Sequence, residues 1–131
     1  MGEVQMGAAI ERWHEIVRTR DPRGLDTVLA DDVVFHSPVV HTTQQGKAIT
    51  TKYLTAALKV LGGPRFRYVE QWVEPSSAVL EFVTAIDGIE VNGVDIIGWN
   101  AEGKIDRFKV MVRPLKAIEA VRQRMAAELA G

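Results

Sequence analysis

Asp95 is a carboxylate in apolar company. It sits inside Val94-Asp95-Ile96-Ile97, where the other three side chains are branched hydrocarbons. If Asp95, Ile97 and Trp99 share an inward strand face, burial favours the neutral carboxylic acid over the carboxylate. A neutral acid donates a hydrogen bond, as a general acid or an oxyanion donor must. The structural alternative is an aspartate paired with a backbone amide or with an arginine at a subunit contact. His36 and His41 flank Ser37-Pro38-Val39-Val40, and an imidazole is a side chain that can serve as base or acid near pH 7. His36 is the candidate base to partner Asp95, and His41 a candidate ligand contact. A spacing of five along a strand sets the two on opposite faces, so they make no metal pair. No HExxH or clustered His/carboxylate pattern is present, and neither metal nor cofactor is expected. Trp13, Tyr53, Phe66, Trp72, Phe82, Trp99 and Phe108 are the aromatic supply, available to plain core packing or to an apolar ligand pocket. Glu81, inside Val79-Leu80-Glu81-Phe82-Val83, calls for a cationic partner among Arg107, Lys109 and Arg113.

The elements that must position these groups are legible in the spacing. Met6, Ala9, Ile10, Trp13, Ile16 and Val17 recur at helical intervals and predict an amphipathic helix over 4–19. His14 then falls at the edge of that helix's buried face. Asp21-Pro22 opens a second, short helix with Leu25, Val28 and Leu29 as its stripe, ended by Asp31-Asp32. Val33–His36 is a short strand that Pro38 stops. A third helix spans about 45–61 and ends at Gly62-Gly63-Pro64. Its expected stripe is Ile49, Tyr53, Ala57 and Val60, with Leu54, Leu58 and Leu61 beside it. Then the period changes to two. Phe66–Glu74, Ala78–Ile86, Glu90–Asn100 and Lys104–Arg113 are strands joined by hairpin-length loops, an antiparallel meander. A last helix over 115–129 carries Leu115, Ile118, Val121, Met125 and Leu129. Helices gathered on an antiparallel sheet make an α+β fold. Two of the strands are nearly apolar on both faces, so both sheet faces are expected to be covered, the outer one by a second copy in a homodimer.

Composition bounds the function classes. The chain has 131 residues, 16 Lys+Arg, 17 Asp+Glu, no cysteine and a net charge of −1. One domain over 1–131 is expected. The charge balance argues against nucleic acid, and the lack of cysteine excludes disulfides, thiolate metal sites and cysteine nucleophiles. No apolar run is long enough to span a membrane, and the first residues lack the pattern of a signal peptide, so a cytoplasmic protein is expected.

Three segments, Leu29–Pro38, Gln45–Ile49 and Val94–Ile105, within this element order, carry a resemblance. The chain resembles the nuclear transport factor 2-like superfamily, in its SnoaL-like branch. Ketosteroid isomerases, limonene epoxide hydrolases, scytalone dehydratases and polyketide cyclases belong there. The resemblance implies a cystatin-like cone: a curved sheet wrapped around helices and a pocket open at one end. It also implies an apolar, carbonyl- or hydroxyl-bearing ligand and cofactor-free acid/base chemistry of the isomerase, cyclase, dehydratase or hydrolase type. The isomerase pattern carries over at one of three positions. Asp95 matches the protonated aspartate of the late strand. Ser37 stands where those enzymes place the proton-shuttling aspartate, and Trp13 where they place a tyrosine. The epoxide hydrolase pattern wants an arginine two residues before Asp95, and Gly93 stands there. A non-catalytic ligand-binding or dimerisation module of the same fold is the alternative.

Overall fold

The computed structural model describes the backbone of residues 2–131 and the side chains of residues 8–131. The expected place of Met6 on the first helix stripe lies outside the described side chains. Chain order is α1 (Gly2–Thr19), a 3-10 turn (Pro22–Gly24) running into α2 (Leu25–Val28), β1 (Leu29–His36), β2 (Gln44–Gln45), α3 (Lys47–Leu61), β3 (Arg67–Glu74), β4 (Ser77–Ile86), β5 (Ile89–Trp99), β6 (Ile105–Arg113) and α4 (Leu115–Ala130). The architecture is the expected α+β: a curved mixed sheet in the order β2-β1-β6-β5-β4-β3, with its helices on one face.

Local chemistry explains the breaks. Asp21 accepts from the Arg23 amide at 3.0 Å and caps the turn that Pro22 begins. That second helical segment is shorter than the spacing implied. It closes at Val28, and Leu29 to Asp32 join the strand, with a register shift between Leu29 and Val34. Asp87 and Gly88 carry φ of 52° and 80°, so both central residues of the β4–β5 hairpin are left-handed, as its tight turn requires. Asn100 Oδ1 accepts from the amides of Glu102 and Lys104, each at 3.0 Å, and closes the β5–β6 loop.

β3 to β6 form the expected meander, but β1 joins β6 in parallel, Val34 beside Arg107 and Phe35 beside Phe108. The inner face carries the core: Phe35, Leu80, Phe82, Ile97 and Phe108 are fully buried. α1 adds Ala9, Ile10, Trp13 and Ile16 to it. The buried stripe of α3 runs through Thr50, Leu54 and Leu58 rather than through Ile49 and Tyr53. That of α4 runs through Ala117, Ala120, Val121 and Met125, and it leaves Leu115 80% exposed. Thr84 Oγ1 donates to the Leu61 carbonyl at 3.2 Å and ties the end of α3 to β4.

The outer face has no helix on it. Along β4, side chains alternate between half-buried and buried over the whole strand. Glu81 lies on this half-buried face and accepts from Asn92 Nδ2 at 3.0 Å; the expected cationic partner is instead an amide.

Gly93 is a close approach. A Cβ there would run into the Phe82 ring and come within 2.7 Å of the Met111 carbonyl oxygen. At Gly98 the obstacle is the guanidinium of Arg107, an exposed group that can swing away. Gly93→Ala is therefore expected to lose about 1–3 kcal/mol of unfolding free energy. Gly98→Ala should lose less, and urea denaturation of the two variants checks the difference.

Candidate functional site

The inner ends of α1, α3 and β3 to β6 enclose an apolar cavity of about 40 Å³. Trp13 and Val17 come from α1, Leu54 and Leu58 from α3, Phe82 from β4 and Phe108 from β6. Asp95 lines it from β5 and Tyr68 from β3. The alternation of β5 turns Asp95 inward opposite Leu80 and Val110, as its neighbours Ile97 and Trp99 are turned.

Three side chains form one hydrogen-bonded line. Trp13 Nε1 donates to Tyr68 Oη at 2.9 Å, and Tyr68 Oη donates to Asp95 Oδ2 at 2.5 Å. An indole N–H can only donate, so when Asp95 is ionised the single Tyr68 proton points at its carboxylate. The line then has a fixed direction that ends on the carboxylate. Asp95 is 5% exposed, and burial pushes its pKa up to about 7, while the Tyr68 hydroxyl opposes that rise. Burial first, and the Asp95 charge second, hold the Tyr68 phenol well above its ordinary value. Among the described residues, the second oxygen of Asp95 has no side-chain partner, and Asp95 faces the cavity. Near neutral pH that oxygen is poised between donor and acceptor: protonated, it donates to a ligand oxygen; ionised, it accepts a proton.

Other predicted residues fall elsewhere. His36 pairs in register with Lys109, whose neighbours Phe108 and Val110 point inward, so His36 faces outward. With Ser37 and His41 it lines a separate open cleft near the β1–β2 connection. The strand ends at His36, the chain turns, and the two histidines meet on one side rather than on opposite faces. Ser37 Oγ accepts from the Val39 amide at 3.1 Å in a local turn. The structure therefore does not bring His36 to Asp95. Trp72 is 54% exposed on the outer sheet face, where β3 pairs Trp72 with Val79. Trp99 is buried and donates to the Pro75 carbonyl at 3.1 Å, a structural tie. Tyr53 packs on Phe35 at 5.7 Å between ring centroids and stands outside the cavity lining. His14 reaches Gln71 Oε1 at 3.2 Å at the edge of α1. Five of the predicted residues, Trp13, Phe66, Phe82, Asp95 and Phe108, share the cavity. Tyr68 was missed. Its signal was the polar-tipped aromatic two residues after Phe66 in an alternating strand, and a register shift between Tyr68 and Glu70 blurs that alternation.

This is a cone-shaped α+β domain whose apolar interior holds one acid and one phenol. The matching family model, the SnoaL-like domain, covers residues 10–108, and the chain belongs to that family. It is similar to a steroid delta-isomerase from Pseudomonas aeruginosa, 33% identical over 96% of this chain and 92% of that one, with a TM-score of 0.91. An uncharacterised protein with a cystatin-like fold from Silicibacter pomeroyi is 32% identical over 93% of this chain and 85% of that one, TM-score 0.86. A nuclear transport factor 2-like protein of unknown function from Mesorhizobium loti shares the fold at 21% identity, over 84% of this chain and 92% of that one, TM-score 0.73. No functionally curated protein matches the sequence. No described helix is long and apolar enough to cross a membrane.

The raised Asp95 pKa has a stability consequence with a definite sign. An unfolded carboxyl ionises near 3.8 and the folded one near 7. Between those values the unfolded chain has released a proton that the folded chain still holds, so stability falls as pH rises and levels off above the window. Asp95→Asn should flatten this slope and melt above the wild type at pH 8. Tyr68→Phe removes the hydroxyl that favours the carboxylate, so the Asp95 carboxyl carbon signal in NMR should titrate at higher pH than in the wild type.

Proposed function

We propose that the protein is a cytoplasmic SnoaL-like protein that binds a small apolar molecule carrying a carbonyl or hydroxyl oxygen, with that oxygen on the Tyr68–Asp95 pair. The observation that carries this reading is a buried carboxyl with one free oxygen in an otherwise apolar cavity. A buried polar group that only closed the core would be expected to satisfy itself within the protein. A protonated Asp95 can donate to a bound carbonyl oxygen and polarise it toward its oxyanion, so carbonyl activation is the chemistry the pair suits best. Among the described residues Asp95 is the single carboxyl or imidazole lining the cavity, so it is the group that meets the ligand oxygen. The relative named as a steroid delta-isomerase supports this class of ligand. Ser37, bonded to a backbone amide and lining a different cleft, gives no support to steroid isomerisation by the three-residue pattern. The test is native mass spectrometry of freshly purified protein, followed by titration of the released compound into the wild type and Asp95→Asn. A co-purifying oxygenated hydrocarbon that binds at least tenfold more weakly to the variant is expected. A compound that binds both equally, or one displaced from the outer face, would remove the reading.

We further propose a homodimer through the outer sheet face. Val79, Val94 and Ile96 lie side by side there, flanked by the half-exposed Trp72 and Met111. Charge on this face is segregated but for Arg67, which opens β3 opposite Val83. β3 and β4 bring Glu70, Glu74 and Glu81, while β6 brings Arg107, Lys109 and Arg113. A two-fold axis lying in the interface and running along the strands sets the acidic strands of one copy against the basic strand of the other, and an apolar centre with such a rim fits a self-complementary contact. Light scattering should give twice 14.5 kDa for the wild type. Ile96→Glu should give the monomer mass with an unchanged helical circular dichroism signal.

A further inference from the structure

The cavity is too small for a whole ligand. Its volume of about 40 Å³ compares with the roughly 300–1,000 Å³ of ordinary small-molecule sites. It admits the oxygen-bearing end of a molecule, and the remainder must lie outside. The structure offers one continuation. An open cleft of about 380 Å³ adjoins the cavity and shares Val17, Gly62, Phe66 and Tyr68 with it. Tyr68 is thus a wall of both spaces.

The cleft is basic. Arg18, Arg20 and Arg67 line it together with His14, and none of its lining residues is acidic. In a chain of net charge −1 this is a local concentration of positive charge. Arg18 is occupied by Glu15 at 2.6 Å. Arg20 and Arg67 have no carboxylate within ion-pair distance among the described residues. Cations in a last helical turn complement the helix dipole, which accounts for Arg18. Arg67 opens β3 opposite Val83 on the outer face, so its side chain leads away from the cleft.

Arg20 has a second peculiarity. It ends α1 with φ of 56°, the left-handed conformation that glycine adopts most cheaply at this place in a helix. Its side-chain stem runs beside Gly62, with Cδ 3.5 Å from where a Cβ on that residue would stand. A strained arginine kept at a glycine position points to a use for its side chain.

We infer that the ligand is an amphiphilic acid, with its carbonyl or hydroxyl oxygen at Tyr68–Asp95 and a carboxylate at its other end held by Arg20. This rests on the reading that the Tyr68–Asp95 pair anchors a ligand oxygen. Guanidinium groups suit the role because they grip a carboxylate through two parallel hydrogen bonds. They also make the mouth of the cone selective, since a neutral molecule of equal size finds no partner there.

The test uses 4-hydroxyphenylacetate and its methyl ester as matched probes, read by the shift of the Trp13 indole N–H in NMR. The acid should bind about tenfold more tightly than the ester. In Arg20→Gln the acid should fall to the ester's affinity. Arg20→Gly should weaken the acid and also raise Tm by about 3 °C, because it relieves the left-handed strain. Equal binding of acid and ester by the wild type, or a preference that survives Arg20→Gln, overturns the inference. In those cases, ester binding that is lost in Asp95→Asn would leave the anchor intact. Failure of both probes to move the Trp13 signal overturns the anchor and the inference together.

Discussion

A carboxyl group in a hydrocarbon interior is tolerated only with a partner, and in this protein the partner is the Tyr68 hydroxyl. Much of the fold converges on that contact. Tyr68 comes from the far edge of the sheet, Asp95 from its middle and Trp13 from the first helix, so three elements distant in sequence must register to within a hydrogen bond. The indole at the head of the line is what gives it polarity. A tyrosine in place of Trp13 could donate or accept, and the proton on Tyr68 would then have two places to go.

The sequence made Asp95 visible because a carboxylate among Val94, Ile96 and Ile97 violates the ordinary partition of charge to water. Period and punctuation placed the helices and the meander to within a few residues. What escaped was long range. The parallel pairing of β1 with β6 joins segments some seventy residues apart, and no local pattern encodes it. Tyr68 escaped for a related reason. Its inward direction depends on an irregularity in the β3–β4 register that shifts the alternation by one. His36 and His41 were misjudged because a strand's two-fold alternation was extended past Ser37-Pro38, where the strand has ended. Trp72 illustrates the limit of composition: an aromatic residue on a two-faced strand is apolar whichever way it points.

The sheet separates two environments. Its concave side is closed by α1, α3 and α4 and holds the only buried carboxyl among the described residues. Its convex side carries half-exposed aliphatic residues between an acidic and a basic margin. Because residues alternate across it, each strand serves both. On β5, Asp95 and Ile97 face the cavity while Val94 and Ile96 face outward, so one backbone positions both the acid and the outer apolar patch.

The contact between Gly93 and the Phe82 ring bears on how readily this interior can be rebuilt. A side chain at 93 and an aromatic ring at 82 compete for the same space. Giving Asp95 a cationic neighbour two residues upstream therefore demands that position 82 shrink as well. Each change alone is harmful: the first collides, and the second leaves a hole beside the acid. The two positions are epistatic. For an engineer who wants a different reaction in this cone, shrinking position 82 clears the ring only, and the Met111 carbonyl oxygen, 2.7 Å from a Cβ at 93, still obliges β6 to shift.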